Sequence, residues 1–342
     1  MIWLTWRQFR TAATAVFGGL AALAAILAVT GPRLADDYAT GLADCTTQGG
    51  DCSMFVQRFF NENQSGFLAV TAVILVLPAL IGLFWGAPLI SRELETGTHR
   101  LVWNQSITRT RWLAVKLGLT GLAAMAATAL CSLAVTWWSS TVDQVATENF
   151  PRLGSLVFDA RGVVPIGYAA FAFALGVTVG MLVRRAQLAM AITLTVFVAV
   201  QIAMPTLVRP HLLPPTRATV EISHSVLDGL MRNPENDAVR LQAKAPKDGD
   251  WLLSSQTVDA AGKAVDDINV SLSSGACAPA TVEQDRMATC FAEISRLGYR
   301  VQMTYHAANR FWPFQWIETG IYTTSAVALT GFCFWWTRRR LS

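Results

Sequence analysis

Charge is what this sequence has least of: Asp, Glu, Lys and Arg together make up 15% of its 342 residues, against roughly a quarter in a soluble domain. A surface that sparse in charge excludes an ordinary soluble globular protein. Catalytic patterns are missing as well. No G-x-x-x-x-G-K-[S/T] phosphate loop occurs, since the one Gly-Lys pair, Gly262-Lys263, is followed by Ala264. There is no H-E-x-x-H and no G-x-S-x-G, so the common metal-hydrolase and serine-hydrolase arrangements are excluded. Acidic residues are nearly absent from the apolar runs, where Glu318 stands alone. Ion-coupled transporters and intramembrane proteases need ionisable groups at that depth. A net charge of +4 calls for no nucleic-acid partner.

What is present is apolar length, with 53% hydrophobic residues. Met1 to Arg10, with Trp3, Trp6, Arg7 and Arg10, reads as an interfacial lead rather than a cleavable signal. Uncharged or nearly uncharged runs follow at Thr11 to Thr30, Phe67 to Ile90, Leu117 to Trp138, Val163 to Val183, Leu188 to Met204 and Phe314 to Trp336. At 1.5 Å per residue, about twenty residues cover the ~30 Å hydrocarbon core. Gly31-Pro32 is expected to end the first run and Pro205 the fifth, leaving Arg33 to Gly66 as an outer loop. Pro78 and Pro88 predict an irregular second crossing, and Gly176-x-x-x-Gly180 permits a close helix approach. The expected fold is an all-α polytopic membrane protein of six transmembrane helices, with a small α+β extracytoplasmic domain between helices 5 and 6. Residues 1–205 would hold the interfacial lead and five crossings, 206–313 the outer domain, and 314–342 the sixth crossing and a basic tail. In the outer domain, Trp251 to Val258, Val265 to Leu272 and Arg300 to Tyr305 read as strands. Thr281-Val-Glu-Gln284 opens a helix that Gly298 ends.

Six crossings would place both termini on one side. That side then carries Arg7, Arg10, Arg92, Arg100, Arg109, Arg111, Lys116, Arg184, Arg185, Arg338, Arg339 and Arg340 against Glu93 and Glu95 alone. By the positive-inside rule it is cytoplasmic. Cys45, Cys52, Cys277 and Cys290 fall outside, where thiols oxidise, and Cys131 and Cys333 fall in apolar runs. The natural pairing joins Cys45 to Cys52 and Cys277 to Cys290, the latter closing a loop worth about 3 kcal/mol. A metal site drawing on His211, His224 or His306 is the rival, though no ligand spacing supports it.

The polar stretch Ser91 to Lys116 lies between two apolar runs. Gly97 breaks the chain, Thr98 can cap a helix, and His99 to Gln105 would make about two turns. On composition it is equally an ordinary loop whose arginines only fix topology. Glu93-x-Glu95-x-Gly97-Thr98, followed by Trp103-x-Gln105-Ser106-x-Thr108-Arg109-x-Arg111-Trp112 and Lys116, resembles the first cytoplasmic loop of ATP-binding-cassette (ABC) type-2 exporter permeases, especially the actinobacterial branch.

That resemblance implies a bacterial plasma-membrane exporter subunit. Its loop, through Glu93, Glu95, Gly97, Thr98, Arg100, Trp103, Gln105, Arg109 and Arg111, would couple it to two copies of an ABC ATPase. ATP and Mg would be held by that partner, with no cofactor in this chain. The permease would work as a homodimer in the lipid bilayer, passing a hydrophobic or amphipathic cargo between the second and fifth helices. Gln201 and Glu318 are candidates for that path, with helix packing and an interfacial carboxylate as their plainer roles. A non-transporting sensor whose outer domain binds a ligand is the alternative reading. A secondary transporter is disfavoured by the missing intramembrane charges.

Overall fold

In the computed structural model the uncharged run after the interfacial lead does not stop at Gly31-Pro32. One helix, α1, spans Ile2–Thr47 with Pro32 inside it. A proline in a helix interior costs about 3 kcal/mol or more, and packing offsets that here. Gly31 lets the Trp137 and Trp138 rings come close, and Trp138 Nε1 donates to Thr30 Oγ1 at 2.9 Å. Forty-six residues make a rod of about 69 Å, more than twice the ~30 Å hydrocarbon core. The expected outer loop is therefore a helical hairpin. Helix α2 begins at Ser53, Tyr38 packs on Phe59 at 5.1 Å between ring centroids, and the Cys45–Cys52 disulfide closes the turn with Cα atoms 5.9 Å apart.

The described residues are 2–49, 52–97, 108–146, 150–223, 227–232, 239–247, 249–265, 268, 270, 275–277 and 283–340. They form two compact units. The first comprises Met1–Ala146, Ser155–Leu212 and Trp312–Ser342. In it α2 (Ser53–Leu80) passes through a π-helical segment, Ile81–Gly86, into α3 (Ala87–Glu95). There follow α4 (Arg109–Val145), α5 (Ser155–Phe158), α6 (Val164–Val183) and α7 (Ala186–Ala203). Helix α7 runs past Pro205 through a π segment, Met204–Val208, and a 3₁₀ turn, Arg209–His211.

The six-helix expectation is corrected. Among the described residues five helices are long and apolar enough to cross a membrane: Phe9–Thr47, Ser53–Glu95, Arg109–Val145, Val164–Val183 and Ala186–His211. The expected sixth crossing is a 29-residue helix, Phe311–Arg339, that lacks the apolar content. It carries Gln315, Glu318, Tyr322 and five threonines. Much of this polarity is spent on neighbours. Gln315 Oε1 accepts from the backbone of Val163 and Val164 at 2.9 and 3.0 Å, Tyr322 donates to Gln201 Oε1 at 2.8 Å, and Thr178 meets Cys333 at 3.3 Å.

Two Gly-x-x-x-Gly spacings meet at the centre of this unit. A Cβ placed on Gly82, Gly86, Gly176 or Gly180 would stand less than 3 Å from a backbone carbonyl oxygen of the facing helix, at 2.5 Å for Gly176 against Gly82 and 2.6 Å for Gly86 against Phe173. Only hydrogen fits at these positions. The π segment follows Pro78, whose missing N–H already breaks the α-helical ladder, and it sets its own Gly82 and Gly86 against α6.

The second unit comprises Thr147–Gly154 and Leu213–Phe311. Its antiparallel sheet has the order β1-β6-β4-β5, with β1 at Thr216–Glu221, β4 at Trp251–Val258, β5 at Ala264–Val265 and β6 at Arg300–His306. A separate pair joins β2 (Leu227–Arg232) to β3 (Val239–Ala243). The central strand β6 buries Val301 and Met303 on alternate positions. Helix α8 (Glu283–Arg296) adds Phe291, Ile294 and Cys290, the last bridged to Cys277. Gly298, at φ +85°, ends the helix in the left-handed conformation. Of the second expected strand, Val265 to Leu272, Val265 lies in β5, and residues 266, 267, 269, 271 and 272 lie outside the described residues.

The glycine crossing gives a direct test. Gly176→Val should lower the thermal midpoint of the detergent-solubilised protein, at a cost of about 1–3 kcal/mol. Gly18→Ala, where nothing lies within 4 Å of the added carbon, should leave it unchanged or raise it.

Candidate functional site

Charged residues converge at both ends of the helical unit. At one end α3 stops at Glu95 and α4 starts at Arg109, so the segment expected as one loop from Ser91 to Lys116 is helical at both margins. Gly97 turns the chain at φ +70°. Thr108 Oγ1 accepts from Arg111 N, at 3.4 Å, to cap α4. Thr98, Arg100, Trp103 and Gln105, with the short helix expected from His99, lie outside the described residues.

Both acids of this segment bond across helices. Glu93 pairs with Lys116 of α4, whose Nζ also sits 5.4 Å from the centroid of the buried Trp112 ring. Glu95 Oε2 accepts from Ala186 N at 3.1 Å, which places a carboxylate on the first turn of α7, where the helix dipole favours it. The turn before it is tight, with Arg184 at φ +57°. The acids thus tie α3 to α4 and α7. Arg111 is exposed and Arg109 partly so.

At the other end a charge cluster is sealed from solvent. Arg209, in the 3₁₀ turn after α7, and Glu318 of Phe311–Arg339, named α9 hereafter, are both 0% exposed. Arg209 Nε and Nη2 donate to the two Glu318 carboxylate oxygens, each at 2.9 Å, the fork geometry that favours arginine over lysine. Nη2 also meets Asp159, and the guanidinium lies 4.1 Å from the Phe158 ring centroid. Tyr168 completes the cluster, its hydroxyl 2.9 Å from Asp159 Oδ1 and 2.6 Å from Glu318 Oε1. Burial pushes the Asp159 carboxyl up to about 6, and Arg209 pulls against it.

A second buried arginine holds the same connector. Arg161 Nε donates to Asp143 Oδ2 at 3.0 Å and Nη2 reaches Thr71 Oγ1 at 3.4 Å. Ser132 donates to Gly162 O at 2.7 Å. Residues 158–164 are thereby fixed to four helices, a role the sequence did not signal. Its only hint was three isolated charges, Asp159, Arg161 and Arg209, beside apolar runs; their pairing spans 109 residues for Arg209 with Glu318.

Of the two residues considered for a cargo path, Glu318 is 0% exposed and bonded to Arg209, and Gln201 accepts from Tyr322. The four cysteines on the polar segments are bridged as Cys45–Cys52 and Cys277–Cys290. Among the described residues no group of three His, Cys, Asp or Glu is placed to hold a metal ion.

Comparison with known proteins adds one match. The family described as ABC-2 membrane transporter related matches residues 17–209, more than half of the chain. That stretch runs from Phe17 in the first apolar helix to Arg209 in the fifth. No curated protein and no solved structure matches.

Glu318→Leu or Arg209→Met leaves buried charge uncompensated and should cost about 3–5 kcal/mol. Arg209→Met combined with Glu318→Leu should cost less than the sum of the two. Thermal denaturation of all three variants in one detergent measures the coupling, and additive losses would show that the pair does not act as a unit.

Proposed function

This chain belongs to the ABC-2 membrane transporter related family, and we propose from that membership that it is the membrane subunit of an ATP-driven exporter. The family match over residues 17–209 carries the proposal. It covers the loop region whose sequence resembles that of ABC type-2 permeases, together with every helix that braces it. In this reading the nucleotide is bound and hydrolysed by a separate ABC ATPase, present in two copies, one for each permease of a homodimer. The protein sits in a bacterial cell membrane with Arg7, Arg109, Arg111, Arg184 and Arg185 on the cytoplasmic side, as the excess of positive charge there requires. The sheet-bearing unit is extracytoplasmic.

Coupling follows from the geometry at the loop's base. A push on the segment between Glu95 and Arg109 acts on α3, which is one continuous rod with the π segment and α2. Through Glu95 and Glu93 it also acts on α7 and α4. The cargo path lies between the second and fifth spans of the two copies. Val73, Val76, Leu80 and Phe84 of one span and Leu194, Val198 and Ile202 of the other are exposed apolar side chains at helical spacing. Such walls suit a hydrophobic or amphipathic cargo. Glu318 and Gln201 are not assigned to the path, because their polar atoms are engaged inside the unit.

Trp103 can bury a large aromatic side chain in a groove of the ATPase, and truncating such an anchor costs about 2 kcal/mol or more. Rim charges such as Arg100 add less affinity and more steering. Trp103→Ala with Arg100→Glu should leave the permease folded and inserted. It should reduce ATPase copurification and cargo-stimulated hydrolysis at least about tenfold. Binding and stimulation equal to the parent's would leave the loop with a topological role only.

A further inference from the structure

The helical unit contains a cavity of about 370 Å³ that the coupling account does not use. It lies between the first turns of α1, the π segment with α3, and Lys116 of α4. Its volume is in the range of sites that take small molecules, about 300–1,000 Å³. Phe9, Phe84, Trp85 and Leu89 supply an apolar wall, and Phe9 stands edge-on to Trp85 at 4.5 Å between centroids. Phe84 is 57% exposed, so this wall continues onto the outer flank of the helix.

The polar side of the cavity is different in kind. Thr5 is 2% exposed, and its Oγ1 is buried with no hydrogen-bond partner. A buried hydroxyl without a partner costs about 1–3 kcal/mol, so this one marks a place where an acceptor or donor is wanted. Arg92 stands exposed at the rim, and the Glu93–Lys116 pair closes the inner side. The apolar spans begin at Phe9 and end at Glu95. The cavity therefore straddles the boundary between headgroups and acyl chains, at the end of the unit where arginines predominate.

We propose that this cavity binds an anionic phospholipid. Its acyl chain would lie on Phe84, Leu89 and Trp85, its phosphate would meet Arg92, and an ester or glycerol oxygen would satisfy the Thr5 hydroxyl. A soluble anion makes no use of the aromatic wall, and a neutral hydrocarbon leaves both Thr5 and Arg92 unanswered. The occupant would bridge α1 to the Glu93–Lys116 base, so lipid composition would bear on how firmly that base is held. The inference requires membrane placement alone and does not depend on transport.

Native mass spectrometry of the purified chain with dioleoyl phosphatidylglycerol or dioleoyl phosphatidylcholine tests it. The phosphatidylglycerol adduct should form at about fivefold lower lipid concentration than the phosphatidylcholine adduct, the preference one surface arginine gives for an anionic headgroup. Arg92→Gln, at an exposed position that does not threaten the fold, should abolish that preference. Leu89→Trp, which fills the cavity, should abolish the adduct, while Arg338→Gln, outside it, should change neither. Equal retention of the two lipids would make the cavity a neutral-lipid or cargo site and overturn the proposal. So would a preference that survives Arg92→Gln, or one lost equally in Arg338→Gln.

Discussion

Backbone-to-backbone contact between Gly82 and Gly86 on one helix and Gly176 and Gly180 on another sets the spacing of the helices around it. In a bilayer there is no hydrophobic drive between helices, since lipid tails are as apolar as the side chains, and close packing has to supply the attraction. Removing every side chain at the crossing is what permits that packing. The consequences run outward along both rods. Ser91, one turn beyond Ala87 and fully buried, donates back to the Ala87 carbonyl at 2.7 Å. Glu93 and Glu95 then emerge facing α4 and the start of α7. The position of the loop base is thus inherited from four glycines.

The opposite end is held by another kind of force. Arg209, Glu318, Asp159 and Tyr168 are an ionic cluster away from water, where desolvation costs several kcal/mol per ion and is repaid only by good geometry. Bidentate bonding, a tyrosine hydroxyl shared by both carboxylates and a ring face under the guanidinium provide that geometry. Such a cluster adds less to net stability than to uniqueness, because few alternative arrangements can satisfy every charge. One end of the unit is therefore pinned by a cluster of four polar side chains, while the other is held by backbone contacts, the single Glu93–Lys116 ion pair and the Glu95 hydrogen bond. Motion imposed at the loop would meet less resistance there than at the far end.

Much of this was legible in the sequence where it depended on local composition. The first five apolar runs, the disturbance after Pro78, the close approach at Gly176 and Gly180, the strand at Trp251 and the helix stop at Gly298 are all written in short windows. Distant partners decided the rest. Pro32 reads as a terminator until Trp137 and Trp138, more than a hundred residues on, are brought against Gly31 and Thr30. The run at Phe314 reads as a crossing by its length, yet Gln315, Glu318 and Tyr322 lower its apolar content because they serve neighbours on other helices. Glu318 read as an interfacial carboxylate because nothing near it in sequence shows Arg209. Strands β1 to β3 were missed because they are five or six residues long and carry few large apolar side chains between polar ones such as Arg217, Asp228 and Arg240.

The central claim is that the segment between Glu95 and Arg109 is where an ATPase acts on this subunit. Its most direct test is a photo-crosslinking amino acid placed at Ser106, with a second placed at Ser254 in β4, in membranes that also contain the partner ABC ATPase. The account predicts an ATPase adduct from position 106 that changes in yield when ATP is added, and none from position 254. No adduct from 106, or adducts of equal yield from both positions, would contradict it.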